Sequence, residues 1–137
     1  MERKVREKTL VDTGFVIALV NKRDRFHAQA RELAQKFDGQ PLLVTDAVLL
    51  EIGNALSRGF KAEAVAIMDS FILSDDVEII HLTPNIFAEG FDLYKSYQDK
   101  DWSLVDCVSF VVMRQRKIKQ ALTFDQHFAQ AGFEIAT

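Results

Sequence analysis

Cysteine, proline and glycine are all scarce in this chain. Its 137 residues include one Cys, two Pro and six Gly. A single thiol excludes a disulfide framework and a zinc ribbon. The three histidines, His27, His81 and His127, have no ligand spacing with one another, which argues against a Cys/His zinc cluster. So few Pro and Gly leave little room for long disordered linkers. No apolar stretch approaches the roughly 20 residues needed to span a bilayer. Positive charge is not in excess either: 17 Lys+Arg against 20 Asp+Glu give a net charge of −3. That excludes a histone-like or polybasic binder, while nucleic acid stays open as a substrate because local charge can differ from the net. Met1–Lys8 is alternately charged with no apolar core, so no signal peptide is expected and the expected location is the cytoplasm. The length suits one domain that buries its own core. Residues 1–137 are expected to form that domain, with 1–8 as a charged N-terminal tail.

Thr9–Val11 is a short apolar run and reads as a first strand, broken by Asp12-Thr13-Gly14. Phe15–Val20 follows as a short apolar helix or turn. Asp24 is placed to cap a helix over Phe26–Phe37, whose apolar residues repeat at helical spacing. Leu42–Thr45 reads as a strand. Asp46 then caps a helix over Ala47–Arg58, which Gly59 stops. A helix over Lys61–Leu73 and a strand over Val77–Leu82 come next. Thr83 caps the following helix with Pro84 at its first position, and that helix runs to about Tyr97. Gln98–Trp102 is loop-like, Ser103–Arg116 is a strongly apolar helix, and Gln120–Thr123 is a fourth strand. Phe124–Ala131 is a turn or short helix, and Phe133–Ile135 is a candidate last strand. Strands that alternate with helices point to an α/β domain with a mostly parallel sheet of four to five strands.

Four carboxylates stand out against this frame. Asp12 directly follows the first strand, and ligands of open parallel sheets bind beyond the carboxyl ends of strands. The plainer reading is a turn residue or helix N-cap. Asp125, in Leu122-Thr123-Phe124-Asp125-Gln126-His127-Phe128, stands in the same relation to the fourth strand. Glu51, Asn54 and Arg58 form one polar stripe at i, i+3, i+7, facing either water or a polar cleft. Asp106 lies in Ser103-Leu104-Val105-Asp106-Cys107-Val108-Ser109-Phe110, too apolar for an ordinary surface helix. A carboxylate there needs a partner, a metal or an opening, and the structural alternative is a salt bridge to Lys or Arg. If the two strands are parallel neighbours, all four acids can converge at one end of the sheet. They would then repel one another and hold a proton or a cation. Hard oxygen ligands in that number suit Mg²⁺ or Mn²⁺.

These residues resemble the PIN-domain nuclease family, nearly end to end from Thr9 to Ile135. The match rests on Val11-Asp12-Thr13-Gly14, on Glu51 with Asn54 behind it, on Asp101-Trp102-Ser103-Leu104-Val105-Asp106, and on Thr123-Phe124-Asp125-Gln126-His127-Phe128. The small size is similar to VapC-type toxins of type II toxin–antitoxin pairs. The resemblance implies a PIN-like α/β/α sandwich and hydrolysis of RNA that depends on Mg²⁺ or Mn²⁺. It places Asp12, Glu51, Asp106 and Asp125 at the family's acidic positions, with Asp12, Asp106 and Asp125 as metal ligands. Thr13 and Thr123 match flanking hydroxyl positions, Asn54 and Ser103 are supporting, and Asp101 is a secondary candidate from the loop. It also implies an RNA substrate, a small antitoxin partner and a homodimer, for which the apolar helices over Ala47–Leu73 offer a surface.

Basic residues are clustered in spite of the negative total: Arg3, Lys4, Arg6 and Lys8; Lys22, Arg23 and Arg25; Arg114, Arg116, Lys117 and Lys119. Lys22, Arg23 and Arg25 follow the element after Asp12 and are the best candidates for RNA phosphates. The third group equally complements a helix C-terminus. His127 lies near Asp125, within reach of a substrate, but reads first as a packing residue; Trp102 reads as a loop anchor ahead of a base-stacking residue, and Cys107 as core. Other functions fit less well. An aspartyl-phosphate phosphatase wants a second acid where Gly14 stands, and a receiver-like domain wants an acidic pair ahead of its phosphoacceptor. A stand-alone RNA-processing nuclease and a non-catalytic binding module with salt-bridged acids remain as alternatives.

Overall fold

The computed structural model describes residues 7–137. Most of the charged tail, with Arg3, Lys4 and Arg6, lies outside the described residues. Twelve elements follow in order: β1 (Thr9–Val11), α1 (Thr13–Val20), α2 (His27–Lys36), β2 (Leu42–Thr45), α3 (Asp46–Ala55), α4 (Lys61–Leu73), β3 (Val77–Ile80), α5 (Pro84–Ser96), α6 (Leu104–Arg116), β4 (Gln120–Leu122), α7 (His127–Gln130) and β5 (Glu134–Ile135). The five strands form one sheet in the order β3-β2-β1-β4-β5, and every pairing is parallel.

Period-two alternation puts successive strand residues on opposite faces. Val11, Val44 and Leu122 face a core completed by Phe15, Val16, Leu33, Val48 and Ile52 from α1, α2 and α3. Leu10, Leu43 and Ala121 face the other core, with Phe110 and Met113 of α6 and Phe128 of α7. The sheet therefore has helices on both sides, as a PIN-like α/β/α sandwich requires. Both faces being covered explains why β1 and β2 are almost wholly apolar.

The chain winds from β1 outward to β3 and then crosses back to β4 on the other side of β1. The reversal leaves a crevice between the carboxyl ends of β1 and β4, where a doubly wound sheet binds its ligand. Asp12 follows β1 and Asp125 stands just past β4, so both acids border this crevice.

Caps fix the helix starts. Thr83 Oγ1 accepts from Ile86 N with Pro84 in the first turn. Ser103 and Asp106 form a reciprocal capping box: Ser103 Oγ accepts from Asp106 N, and Asp106 Oδ2 accepts from Ser103 N. Two expected caps are corrected. Thr45, not Asp46, caps α3, its hydroxyl accepting from Val48 N at 3.1 Å. Asp46 is the first helical residue, and its carboxylate instead accepts from Leu82 N at 2.9 Å, which ties α3 to the end of β3. Phe26, not Asp24, occupies the α2 N-cap position, while Asp24 makes an Asx turn onto Phe26 N. α6 is the most enclosed helix, with every residue from Asp106 to Met113 buried. α5 lies against it at Gly90, where a Cβ would meet Val108 Cγ2 at 2.9 Å. No described helix is long and apolar enough to cross a membrane.

Candidate active site

The switch-point crevice opens into a cleft of ≈ 740 Å³ at the carboxyl end of the sheet. Asp12, Glu51, Asp106 and Asp125 all line it, each delivered by a different segment. Asp12 is buried at the start of α1, yet its side chain makes no capping bond there. Its Oδ2 instead accepts from Thr123 Oγ1 at 2.7 Å. Thr123 Oγ1 itself accepts from Asp125 N at 3.0 Å, which commits its proton to Asp12. Thr13, the next residue, donates from Oγ1 to Glu51 Oε1 at 2.7 Å. The two threonines beside the β1 and β4 ends thus orient two of the four acids.

The Asp12 carboxyl is pushed up from 3.8 to about 7. Burial is the main cause, and the neighbouring charges of Asp106 and Asp125 add to it. The hydrogen bonds from Thr123 and from the Thr13 backbone act in the opposite direction without cancelling it. Burial and then Asp106 also push the Cys107 thiol up to about 11. Cys107 packs in the core, as its place on α6 leads one to expect.

Asp106 finds a partner that the sequence reading did not assign. No Lys or Arg pairs with Asp12, Glu51, Asp106 or Asp125 among the described residues. The partner is His127, whose Nδ1 lies 3.0 Å from Asp106 Oδ2 and 3.2 Å from Asp125 Oδ1. Asp125 Oδ1 also accepts from His127 N at 2.9 Å, an Asx turn that fixes the acid against the backbone carrying the imidazole. Donor atoms of Asp106, Asp125 and His127 all lie within 4.8 Å of one another.

Other residues singled out from the sequence divide. Asp101, Ser103 and Arg25 line the cleft. Lys22 and Arg23 do not: they border a separate hollow with Val20, Asn21, Phe60 and Glu63. Asn21 Oδ1 accepts from Arg23 N and Asp24 Oδ1 from Phe26 N, so Lys22 and Arg25 sit inside two successive Asx turns. Arg25 alone reaches the cleft, its guanidinium 4.5 Å from the centre of the Phe26 ring. Asn54 is exposed and does not line the cleft. Trp102 is a loop anchor: it is buried, packs edge-on against Phe110 and donates from Nε1 to Gln130 Oε1 at 3.0 Å.

A family model described as the PIN domain matches residues 9–134. The chain belongs to the PIN-domain family. Within it the chain is VapC-type. It is 34% identical over 125 residues to the 23S rRNA-specific endonuclease VapC20 of Mycobacterium tuberculosis, covering 90% of this chain and 93% of the relative. It is 31% identical over 105 residues to a VapC ribonuclease of Aquifex aeolicus, covering 75% of this chain and 73% of that one. The crystal structure of M. tuberculosis VapC20, described as a sarcin-ricin loop cleaving toxin, superposes with a TM-score of 0.80 at 30% identity, over 91% of this chain and 95% of that one. The five-stranded parallel sheet and its flanking helices are thus the PIN fold.

What the sequence did not reveal in this PIN domain is the pairing of His127 with Asp106 and Asp125. A signal for it was present in the spacing Asp125-Gln126-His127, since an aspartate readily bonds the amide two residues on. That turn carries the imidazole back toward its own acid.

Proposed function

We propose that this PIN-domain protein is a divalent-metal-dependent endoribonuclease and the toxin half of a toxin–antitoxin pair. One observation carries the reading: Asp12, Glu51, Asp106 and Asp125 converge on one cleft without a Lys or Arg ion-pair partner among the described residues. A binding module with salt-bridged acids would pair them. Here the Asp12 carboxyl is instead held up to about 7, by burial first and by the neighbouring Asp106 and Asp125 charges second, with no cation among the described residues to offset either.

The donor set fits Mg²⁺ or Mn²⁺, with Asp12, Asp106 and Asp125 as the proposed oxygen ligands. When bound, such an ion stabilises charge on a phosphodiester and lowers the pKa of water. Glu51 is the proposed general base. Thr13 occupies its Oε1, leaving Oε2 to take a proton from the attacking water. Water oxygen adds to phosphorus, the bond to the departing ribose oxygen breaks, and that oxygen takes a proton from solvent. Arg25 on the cleft wall is the proposed phosphate contact, with Lys22 and Arg23 meeting the RNA backbone farther along.

The M. tuberculosis relative is a 23S rRNA-specific endonuclease, which makes 23S rRNA the first substrate to assay. The proposed inhibitor is a small antitoxin whose C-terminal segment crosses the cleft and directs a basic side chain at the acids. Exposed Leu50 of α3 and Val65, Ile72 and Leu73 of α4 are the proposed homodimer surface. The cytoplasm, where RNA substrates reside, is the proposed location. The test is incubation of the purified protein with ribosomal RNA in Mg²⁺, Mn²⁺ or EDTA. Cleavage with either ion and none in EDTA supports the reading; full cleavage in EDTA refutes it.

A further inference from the structure

We infer that His127 is a direct ligand of the catalytic ion, donating Nδ1 beside the carboxylates of Asp106 and Asp125, and that this nitrogen makes the site prefer Mn²⁺ over Mg²⁺. The inference rests on the metal-dependent nuclease reading and adds a donor that the acidic residues alone do not supply.

The geometry comes first. Nδ1 sits 3.0 Å from Asp106 Oδ2 and 3.2 Å from Asp125 Oδ1. Two ligands at right angles on an octahedral ion, each bonded at about 2.1 Å, stand about 3.0 Å apart. Both distances therefore match edges of an octahedron, with the imidazole nitrogen at the shared corner. A neutral imidazole has one Nδ1 proton at most, and two carboxylate oxygens compete for it. One ion satisfies all three donors at once.

Two of the three donors are held in place by bonds independent of any ion, and the third by the backbone turn that carries it. Asp106 is fixed by the capping box with Ser103, and Asp125 and His127 by their shared Asx turn. Pre-organisation of this kind lowers the ordering cost of binding. His127 is part-buried at the cleft wall, so its ring is reachable without rearrangement. The other two histidines are engaged elsewhere: His27 Nδ1 lies 2.8 Å from Ala18 O, and His81 Nδ1 lies 3.3 Å from Asp46 Oδ2.

Chemistry gives the selectivity. Mg²⁺ favours an all-oxygen shell and dehydrates reluctantly. Imidazole suits first-row transition metals, so a nitrogen donor raises Mn²⁺ affinity relative to Mg²⁺.

Pulsed EPR of the metal-stripped, Mn²⁺-loaded full chain tests this directly. The expected result is ¹⁴N modulation from a directly bound imidazole, changed to the ¹⁵N pattern when the protein is grown with ¹⁵N-histidine and lost in His127→Phe. Calorimetry should show the unaltered protein preferring Mn²⁺ over Mg²⁺ by more than about tenfold, and the His127→Phe variant losing most of that preference. Should that variant fail to fold, isotope labelling of the unaltered protein decides the matter. Bound Mn²⁺ without nitrogen modulation overturns the inference, and so does unchanged selectivity in His127→Phe. RNA cleavage with Mn²⁺ but no nitrogen coupling sinks this inference alone. RNA cleavage in chelator, with no Mn²⁺ bound, sinks the proposed function as well.

Discussion

Replacing Asp12 by Asn should stabilise the metal-free protein, and should do so increasingly as pH rises above about 4. The carboxyl rises from 3.8 in the unfolded reference to about 7 in the fold. A raised carboxyl means that the folded state binds the proton more tightly than the unfolded state. Its contribution to stability is fully present below the unfolded value and is lost as pH climbs through the folded one. The loss accrues between pH 4 and pH 7 at about 1.4 kcal/mol per pH unit and is flat above that, reaching up to about 4 kcal/mol. Asparagine is neutral, nearly isosteric, and offers its carbonyl oxygen to the Thr123 hydroxyl that now bonds Asp12. The perturbation therefore removes the charge and keeps the contact. Urea melts of both proteins in EDTA, from pH 4 to pH 9, measure the difference. The two should coincide near pH 4, and the variant should lead by up to about 4 kcal/mol at pH 8. Saturating Mn²⁺ should reverse the order, because only the unaltered protein keeps that ligand. A gap that does not change with pH, or a variant less stable at pH 8 in EDTA, would refute the assignment of Asp12 as a buried, charge-crowded carboxyl.

Three further substitutions test the scaffold around the site. Ser109→Ala should gain about 1 kcal/mol in thermal melts, because the Ser109 hydroxyl is fully buried and has no hydrogen-bond partner among the described residues. Gly90→Ala should cost about 1–2 kcal/mol, since the added Cβ meets Val108 Cγ2 at 2.9 Å and α6 behind it is enclosed. Thr13→Val should cost no more than about 1.5 kcal/mol in stability. Its RNA cleavage should nevertheless fall, because Glu51 loses the bond that orients it.

Much of the fold was legible because the sheet is buried on both faces. Apolar runs such as Thr9–Val11 and Leu42–Thr45 are then unambiguous as strands, and the helix over Lys61–Leu73 matches its expected limits. The all-parallel order follows from strands separated by helices. Asp12 and Asp125 were visible because a strand end is a fixed place in such a sheet. Asp106 was visible because a charge is conspicuous in an apolar helix. What failed was rotation and turn geometry. Glu51 and Asn54 share a stripe on paper, yet one lines the cleft and the other is exposed, since a stripe three residues long spans part of the helix circumference and the cleft is narrower. Lys22, Arg23 and Arg25 are close in sequence but fall in two successive Asx turns, and only Arg25 lines the cleft while the others border a separate hollow. Asp46 looked like a cap because spacing does not reveal that Thr45, one residue earlier, already satisfies the helix start. His127 was masked by the general fact that a lone histidine usually packs.

RNA cleavage by Asp106→Asn against the unaltered protein, in Mn²⁺ and with folding checked by circular dichroism, tests the central claim most directly. The amide oxygen of Asn can still accept from Ser103 N and complete the capping box, so the helix start is kept while a carboxylate facing the cleft is lost. The expected result is a folded variant whose cleavage falls by more than about a hundredfold. A folded variant that cleaves RNA at the original rate would contradict the assignment of this acidic cleft as the active site.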